Sequence, residues 1–230
     1  SSFTTGGSVI VLPTPTRTGY TFGGWYSDSG LSSQIGLAGA NYSPTGTTLS
    51  LNAYAKWTAV DYTFTYDGNN SDGGTVPTET SKQIGQTATV KANTGSLTRA
   101  GYTFVGWNTQ SNGGGTNYLS GALFTVQSSN VTLYAKWSAN SYTITYNSNG
   151  GTTTIPTSGS YTTGGSAYQI AAAPGGMTKS GYTFNGWNTL ATGLGSNYAV
   201  GASYETSSAL ALFAKWSAVS YTITYNNSCS

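Results

Sequence analysis

Alternation with a period of two runs through this chain. Tyr142-Thr-Ile-Thr-Tyr146 sets large apolar residues against threonine, the pattern of a pleated strand with one face buried and the other in water. The same pattern recurs at Tyr62-Thr-Phe-Thr-Tyr66 and Tyr221-Thr-Ile-Thr-Tyr225. Loops rich in Asn, Asp and Gly come after the first two, at residues 147–151 and 67–74, and these residue types accept the positive φ that tight turns need. Gln86-Thr-Ala-Thr-Val90 predicts a second strand. Gly101-Tyr-Thr-Phe-Val-Gly-Trp107 predicts a third, with Tyr102, Phe104 and Gly106 on one face. Val131-Thr-Leu-Tyr-Ala-Lys-Trp137 predicts a closing strand with Val131, Leu133, Ala135 and Trp137 on one side and Thr132, Tyr134 and Lys136 on the other. Residues 117–126 have room for one helical turn, but Gly113-Gly-Gly115 and Gly121 disfavour a longer helix.

The pattern is written three times. Gly-Tyr-Thr-Phe-x-Gly-Trp ends at Trp25, Trp107 and Trp187, and an Ala-Lys-Trp comes after each, at Trp57, Trp137 and Trp216. Self-similarity at a fixed period makes each copy one structural unit and its recurring residues scaffold first. The copies are out of phase with the chain. Phe3-Thr-Thr-Gly-Gly-Ser8 matches Tyr161-Thr-Thr-Gly-Gly-Ser166, so the first copy starts without the Tyr-Thr-x-Thr-Tyr strand, while Tyr221–Tyr225 opens a fourth copy that goes no further. The expected organisation is residues 1–60 as a first module lacking its first strand, 61–140 and 141–219 as second and third modules, and 220–230 as an extra opening strand. Four-residue links, Thr58–Asp61, Ser138–Ser141 and Ser217–Ser220, predict a repeating orientation and an elongated rod.

Composition narrows the function. Six per cent of residues are charged and the net charge is +2, with Lys and Arg scattered; no basic stripe is present, which argues against nucleic acid as a partner. Solubility then rests on hydroxyls and amides, a balance of extracellular β-rich proteins. Histidine is absent and Cys229 is the single cysteine, so neither supplies a zinc, haem or iron–sulfur site. Cys229 is either an intermolecular bridge or a terminal thiol without a role. No apolar run of membrane-spanning length occurs and no signal peptide is visible. The chain does not begin with Met, which reads as processing or excision.

The segments Gly-Tyr-Thr-Phe-x-Gly-Trp-Asn-Thr, a Gly-rich loop, Asn-Tyr and a closing Leu-Tyr-Ala-Lys-Trp resemble the Listeria–Bacteroides repeat, the family that includes the B repeat of internalin B. The resemblance covers nearly the whole chain. It implies compact β-grasp-like modules in bacterial cell-surface proteins, serving as spacers or adhesive stalks, and no catalytic residues. The first copy departs from the pattern, reading Trp25-Tyr-Ser27 where the others read Trp-Asn-Thr. The fold class expected is therefore mainly β, with α+β left open, as three tandem small β-grasp-like modules.

Candidate chemistry reduces mostly to scaffold. Trp25, Trp107, Trp137, Trp187 and Trp216 recur at fixed places in strands and are assigned to core packing in preference to sugar stacking. Eighteen tyrosines are too many to be all core, which leaves glycan or protein surfaces as possible partners. Carboxylates do not recur in pairs, as a glycosidase would need. Asp67 and Asp72 are a loose calcium candidate that the third copy replaces with Asn147 and neighbours. Lys56, Lys136 and Lys215 recur and are candidates for isopeptide links to Asn147 or Asn226, without an accompanying acid. No enzyme and no cofactor are expected. The strongest functional expectation comes from the phase. In a β-grasp the opening strand pairs with the closing strand, so the first module offers a free edge at Leu51, Ala53, Ala55 and Trp57, and Tyr221, Thr222, Ile223, Thr224 and Tyr225 form a matching donor strand. Donation between copies gives a head-to-tail polymer at the bacterial surface; a fragment of a longer adhesin stalk and a glycan-binding module are the alternatives.

Overall fold

The structure, a computed structural model, describes residues 9–43 and 50–226. All regular elements among these residues are strands. The first copy carries β1 (Ile10–Val11), β2 (Tyr20–Tyr26), β3 (Gln34–Gly36), β4 (Asn41–Tyr42) and β5 (Tyr54–Ala59). The second carries β6 (Asp61–Tyr62), β7 (Phe64–Asp67), β8 (Lys82–Gln83), β9 (Thr87–Thr89), β10 (Tyr102–Asn108), β11 (Asn117–Tyr118), β12 (Leu123–Thr125) and β13 (Val131–Ala139). The third carries β14 (Ser141–Asn147), β15 (Gly159–Thr162), β16 (Tyr168–Gln169), β17 (Tyr182–Asn188), β18 (Asn197–Tyr198), β19 (Ser203–Tyr204) and β20 (Leu210–Ala218). By compactness the chain divides into one unit of Ser1–Leu97 with Val105–Lys136 and another of Thr98–Phe104 with Trp137–Ser230.

The third copy shows the complete architecture. Its sheet runs β15-β14-β20-β17-β18, with the opening strand β14 and the closing strand β20 parallel and adjacent, Ile144 opposite Leu210 through Asn147 opposite Phe213. Alternation places Ile144 and Tyr146 on the buried face and leaves Thr143 and Thr145 exposed, as the sequence pattern predicts. The second copy repeats the order as β11-β10-β13-β7, with β6 paired to β8 beside it. This second–first–last–third–fourth arrangement is what a β-grasp demands of its strands. No helix lies across the sheet among the described residues. In the third copy the covering side chains Ile170, Met177 and Tyr204 come from loops and from the short β16–β19 pair.

The structure departs from the sequence-based expectation in three places. Residues 117–126 hold no helical turn; they form β11, a turn with Gly121 at φ 85°, and β12. The Gly-Tyr-Thr-Phe strand of the first and third copies also breaks strict alternation. Pairing between β17 and β20 slips between Phe184 and Trp187, and that between β2 and β5 slips between Phe22 and Gly24. One extra residue in a strand turns the side chains beyond it to the opposite face, so Phe184 and Trp187 meet edge to face at 5.1 Å and Phe22 and Trp25 at 5.5 Å. The glycine before each Trp makes this possible, with φ of 116°, 132° and 86° at Gly24, Gly106 and Gly186. The four-residue links also shrink: only Val60 separates β5 from β6 and only Asn140 separates β13 from β14.

A Cβ at Gly106 would sit 2.9 Å from the Tyr118 carbonyl oxygen and one at Gly186 would sit 3.0 Å from that of Tyr198. Gly106→Ala and Gly186→Ala are each expected to cost about 1–3 kcal/mol, confined to the repeat that carries the change. Hydrogen exchange resolved along the chain measures this as lost protection in that repeat and unchanged protection in the other.

Candidate strand-acceptor edge

Each copy is built around the tryptophan that ends its Gly-Tyr-Thr-Phe-x-Gly-Trp segment. The indole N–H of Trp25 donates to the Pro13 carbonyl at 2.9 Å, that of Trp107 to Lys91 at 2.8 Å and that of Trp187 to Ala171 at 2.9 Å. Trp107 and Trp187 are completely buried, whereas Trp25 is half-buried. The difference lies in the opening strand. Tyr66 lays its ring 4.5 Å from Trp107, and Tyr146 lies 4.6 Å from Trp187. The phenol oxygens then accept the backbone N–H of Lys91 and Ala171, each at 2.8 Å. Burial, the leading cause, raises the pKa of both phenols, so they stay neutral wherever the protein functions. Trp137 and Trp216 are half-buried, edge-on to Phe104 and Phe184 at 5.7 and 5.9 Å.

In the first copy the sheet is β3-β2-β5, and β5 is its edge. The strand that would lie beside β5, as β7 lies beside β13 and β14 beside β20, is missing among the described residues. The consequence reaches the residues along that edge. Counting back from the Ala-Lys-Trp of each copy, Leu51 to Tyr54 correspond to Val131 to Tyr134 and Leu210 to Phe213, all of which are strand; only Tyr54 is strand in the first copy. Leu51 and Ala53 are exposed, and Ala55 and Trp57 are half-buried. Among the described residues the first copy buries only Leu12 and Tyr26 as apolar side chains, while the second buries Phe64, Tyr66, Val90, Trp107 and Leu133 among others. Tyr221 to Tyr225 form no strand, and Tyr221, Ile223 and Tyr225 are 79%, 74% and 88% exposed. In the third copy the counterparts of Ile223 and Tyr225, Ile144 and Tyr146, are 0% and 6% exposed.

Two residues with structural roles do not stand out in the sequence. Asn108 and Asn188 are buried polar side chains. The Asn188 amide donates to the Gly193 and Gly195 carbonyls and to Asn197 Oδ1, and its oxygen accepts the N–H of Leu190 and Gly195. Asn108 does the same with Gly113, Gly115, Asn117 and Gln110. The recurring Trp-Asn-Thr, with Asn-Tyr nine residues on, carries the signal. Each network ends at the recurring lysine, Lys136 donating to Asn117 Oδ1 at 2.8 Å and Lys215 to Asn197 Oδ1 at 3.1 Å. Where Tyr26 replaces the buried Asn, Lys56 lies over its ring at 5.4 Å. These contacts, and not Asn147 or Asn226, engage the lysines. The Asp67 carboxylate accepts the Asn69 N–H at 2.7 Å as a turn residue, and no cluster of acidic or sulfur ligands for a metal exists among the described residues. Cys229 lies outside the described residues.

Over residues 1–56, 62–136 and 142–215 the chain matches the model of the Listeria-Bacteroides repeat domain, and it belongs to that family. It is 32% identical over 96% of its length to a protein of Evansella cellulosilytica named "Putative Gly-rich membrane protein", and 33% identical over 58% of its length to another from that organism named "Putative membrane protein". The chain spans 25% of the first relative and the matched part covers 19% of the second. No solved structure matches it.

Asn188→Ala would strand the carbonyls and N–H groups that the amide satisfies, at a cost of about 1–3 kcal/mol, and is expected to open the 189–197 loop to limited proteolysis while the 109–117 loop stays resistant. Two carboxylates set the pH response. The N–H groups of Ser33 and Ser32 hold Asp28 below its usual range. Burial acts to raise Glu79, but the Thr80 N–H and the ammoniums of Lys91 and Lys82, each at 3.7 Å, outweigh it and the net shift is downward. A lowered folded-state pKa contributes stability that is fully present above the unfolded value and is lost as pH falls through the folded one. Denaturant midpoints are therefore expected to stay flat from about pH 5 to 9 and to fall below about pH 4.

Proposed function

We propose that the protein is a non-enzymatic structural segment of a bacterial surface protein, displayed outside the cell, whose copies join head to tail. In this reading the outer edge of β5 accepts Tyr221–Tyr225 of a second copy as the opening strand of its first repeat. One observation carries it: among the described residues a closing strand has no parallel partner and a segment with the opening-strand sequence, Tyr221–Tyr225, pairs with nothing, while both intact repeats pair the two. Transferring the register of the third copy places Ile223 opposite Leu51, Thr224 opposite Asn52, Tyr225 opposite Ala53 and Asn226 opposite Tyr54. The Tyr225 ring then covers the exposed side of Trp25, as Tyr146 covers Trp187. Strand addition of this kind derives affinity from main-chain hydrogen bonds and specificity from alternate side chains. Because donor and acceptor are different surfaces, the contact is heterologous and extends a filament unless it closes a ring.

The share of its relatives that the chain covers favours a second reading, in which the chain is a stretch of a longer surface stalk and the β5 edge is filled by a strand of the same polypeptide. Membrane-protein names among the relatives support surface placement in either case. A glycan-binding role draws less support, since the recurring tryptophans are wholly or half buried.

Sedimentation and negative-stain microscopy of the 230-residue chain separate the readings. Filaments are expected from the intact chain and monomers after deletion of residues 219–230, and a synthetic 219–230 peptide added to the deleted chain is expected to bind one to one and shift Trp25 fluorescence. Filaments that survive the deletion, or an intact chain that stays monomeric, overturn strand donation between copies. The acceptor also has a defect that can be repaired. Pro13 stands where Lys91 and Ala171 donate an N–H to the opening tyrosine, and proline has none. Pro13→Ala is expected to tighten peptide binding by about 1 kcal/mol, roughly fivefold.

A further inference from the structure

We infer that each complete repeat is a force-resisting element, in which the parallel pair of opening and closing strands acts as a shear clamp against extension of the chain. The inference does not depend on strand donation between copies. Tension enters a repeat at the start of its opening strand and leaves at the end of its closing strand. Those two strands are parallel neighbours, Phe64 to Asp67 beside Val131 to Tyr134 and Ile144 to Asn147 beside Leu210 to Phe213. Pulling therefore slides them lengthwise in opposite directions. All the hydrogen bonds between them carry the load together, and none can yield before its neighbours. An antiparallel pair pulled from one end gives way one bond at a time.

Side chains extend the clamp beyond the paired backbone. Asn69 donates from Nδ2 to the Ala135 carbonyl at 2.9 Å and Asn149 to that of Ala214 at 3.0 Å, tying the loop after each opening strand to the far half of the closing strand. Both asparagines hold a left-handed backbone, φ 47° and 50°, a conformation glycine adopts at less cost. Glycine has no amide to reach across, which accounts for the strained residue. Thr65 Oγ1 bonds the Val131 carbonyl at 3.3 Å and Thr132 Oγ1 at 3.1 Å, Asn130 accepts the Thr63 N–H at 3.0 Å, and the Trp216 indole donates to Ser148 at 2.8 Å. Phe64, Leu133, Ile144 and Leu212 are buried along the two pairs and keep water from replacing a stretched bond on that face. With Asn140 as a single-residue junction between β13 and β14, little slack intervenes between the two clamps. The first copy, with β5 at a sheet edge, lacks the clamp and serves as an internal control.

Single-molecule force spectroscopy on the intact chain held by its two ends tests this. Two high-force steps are expected, each releasing on the order of 250 Å, with the first copy extending at lower force. Asn149→Gly should weaken only one of the two steps. Forced rupture reports the unfolding rate along the pulled coordinate, so direction distinguishes a clamp from ordinary stability. With Cys229→Ser, handles at Ser180→Cys and Ser220→Cys load the antiparallel β17 and β20 from one end, where Tyr182 faces Ala218, and the third repeat should then yield at roughly half the force or less. Equal forces in the two directions, or end-to-end extension without the two high-force steps, overturn the inference.

Discussion

The parallel pairing of the first strand of a repeat with its last is the constraint on which everything else in this protein rests. In the third copy it joins Ile144–Asn147 to Leu210–Phe213, far apart in the chain, places Ile144 and Leu212 on one buried face, and brings Tyr146 onto Trp187 so that the indole is sealed and its N–H reaches Ala171. The first copy shows the effect of its loss. Its closing segment keeps Tyr-Ala-Lys-Trp but has Asn52 and Ala53 where the second copy has Thr132 and Leu133; Leu51 to Ala53 are not strand, Trp25 keeps an open side, and only two apolar side chains of the copy are buried among the described residues. Strand formation in these segments goes with both the cross-strand partner and the side chains that pack against it.

With 6% charged residues the protein specifies its structure by neutral means. Buried Asn108 and Asn188 organise the glycine loops from within, each amide satisfied on both its N–H and its oxygen side. Fully satisfied buried networks fix one geometry where an apolar patch would tolerate several. Lys136 and Lys215 close these networks from outside. Their recurrence reflects loop architecture, and the same holds for Arg17, Arg99 and Lys179, which lie over Tyr20, Tyr102 and Tyr182 at the turn entering the third strand.

Much of the fold was legible because period-two alternation and a threefold repeat are strong, redundant signals: the Tyr-Thr-x-Thr-Tyr strands of the two intact copies and the closing Ala-Lys-Trp strands lie at the positions read from sequence. The features that stayed hidden depend on contacts distant in sequence. Glycine before tryptophan recurs in all three copies, and in the first and third it marks a bulge only once the neighbouring strand fixes the slip in register. Asn188 looks like a loop residue because polarity ordinarily means exposure, and its burial comes from a ring of carbonyls that only the folded loop creates. The predicted helical turn at 117–126 gives way to β11 and β12 because β10 and β9 offer each a partner. The edge and its complement are visible as a phase shift, and the loss of strand at Leu51 to Ala53 accompanies both the unpaired edge among the described residues and the Asn52 and Ala53 that stand where the second copy has Thr132 and Leu133.

The single residue between consecutive sheets also sets an order of events during synthesis. A repeat's opening strand is made first and its partner last, so the sheet cannot close until nearly the whole unit has emerged, a long-range topology that folds slowly. Once the closing strand arrives, the next residue but one already belongs to the succeeding unit. Maturation thus proceeds in packets from the N-terminal side, and of the two complete repeats only one at a time is a half-made sheet awaiting its closing strand.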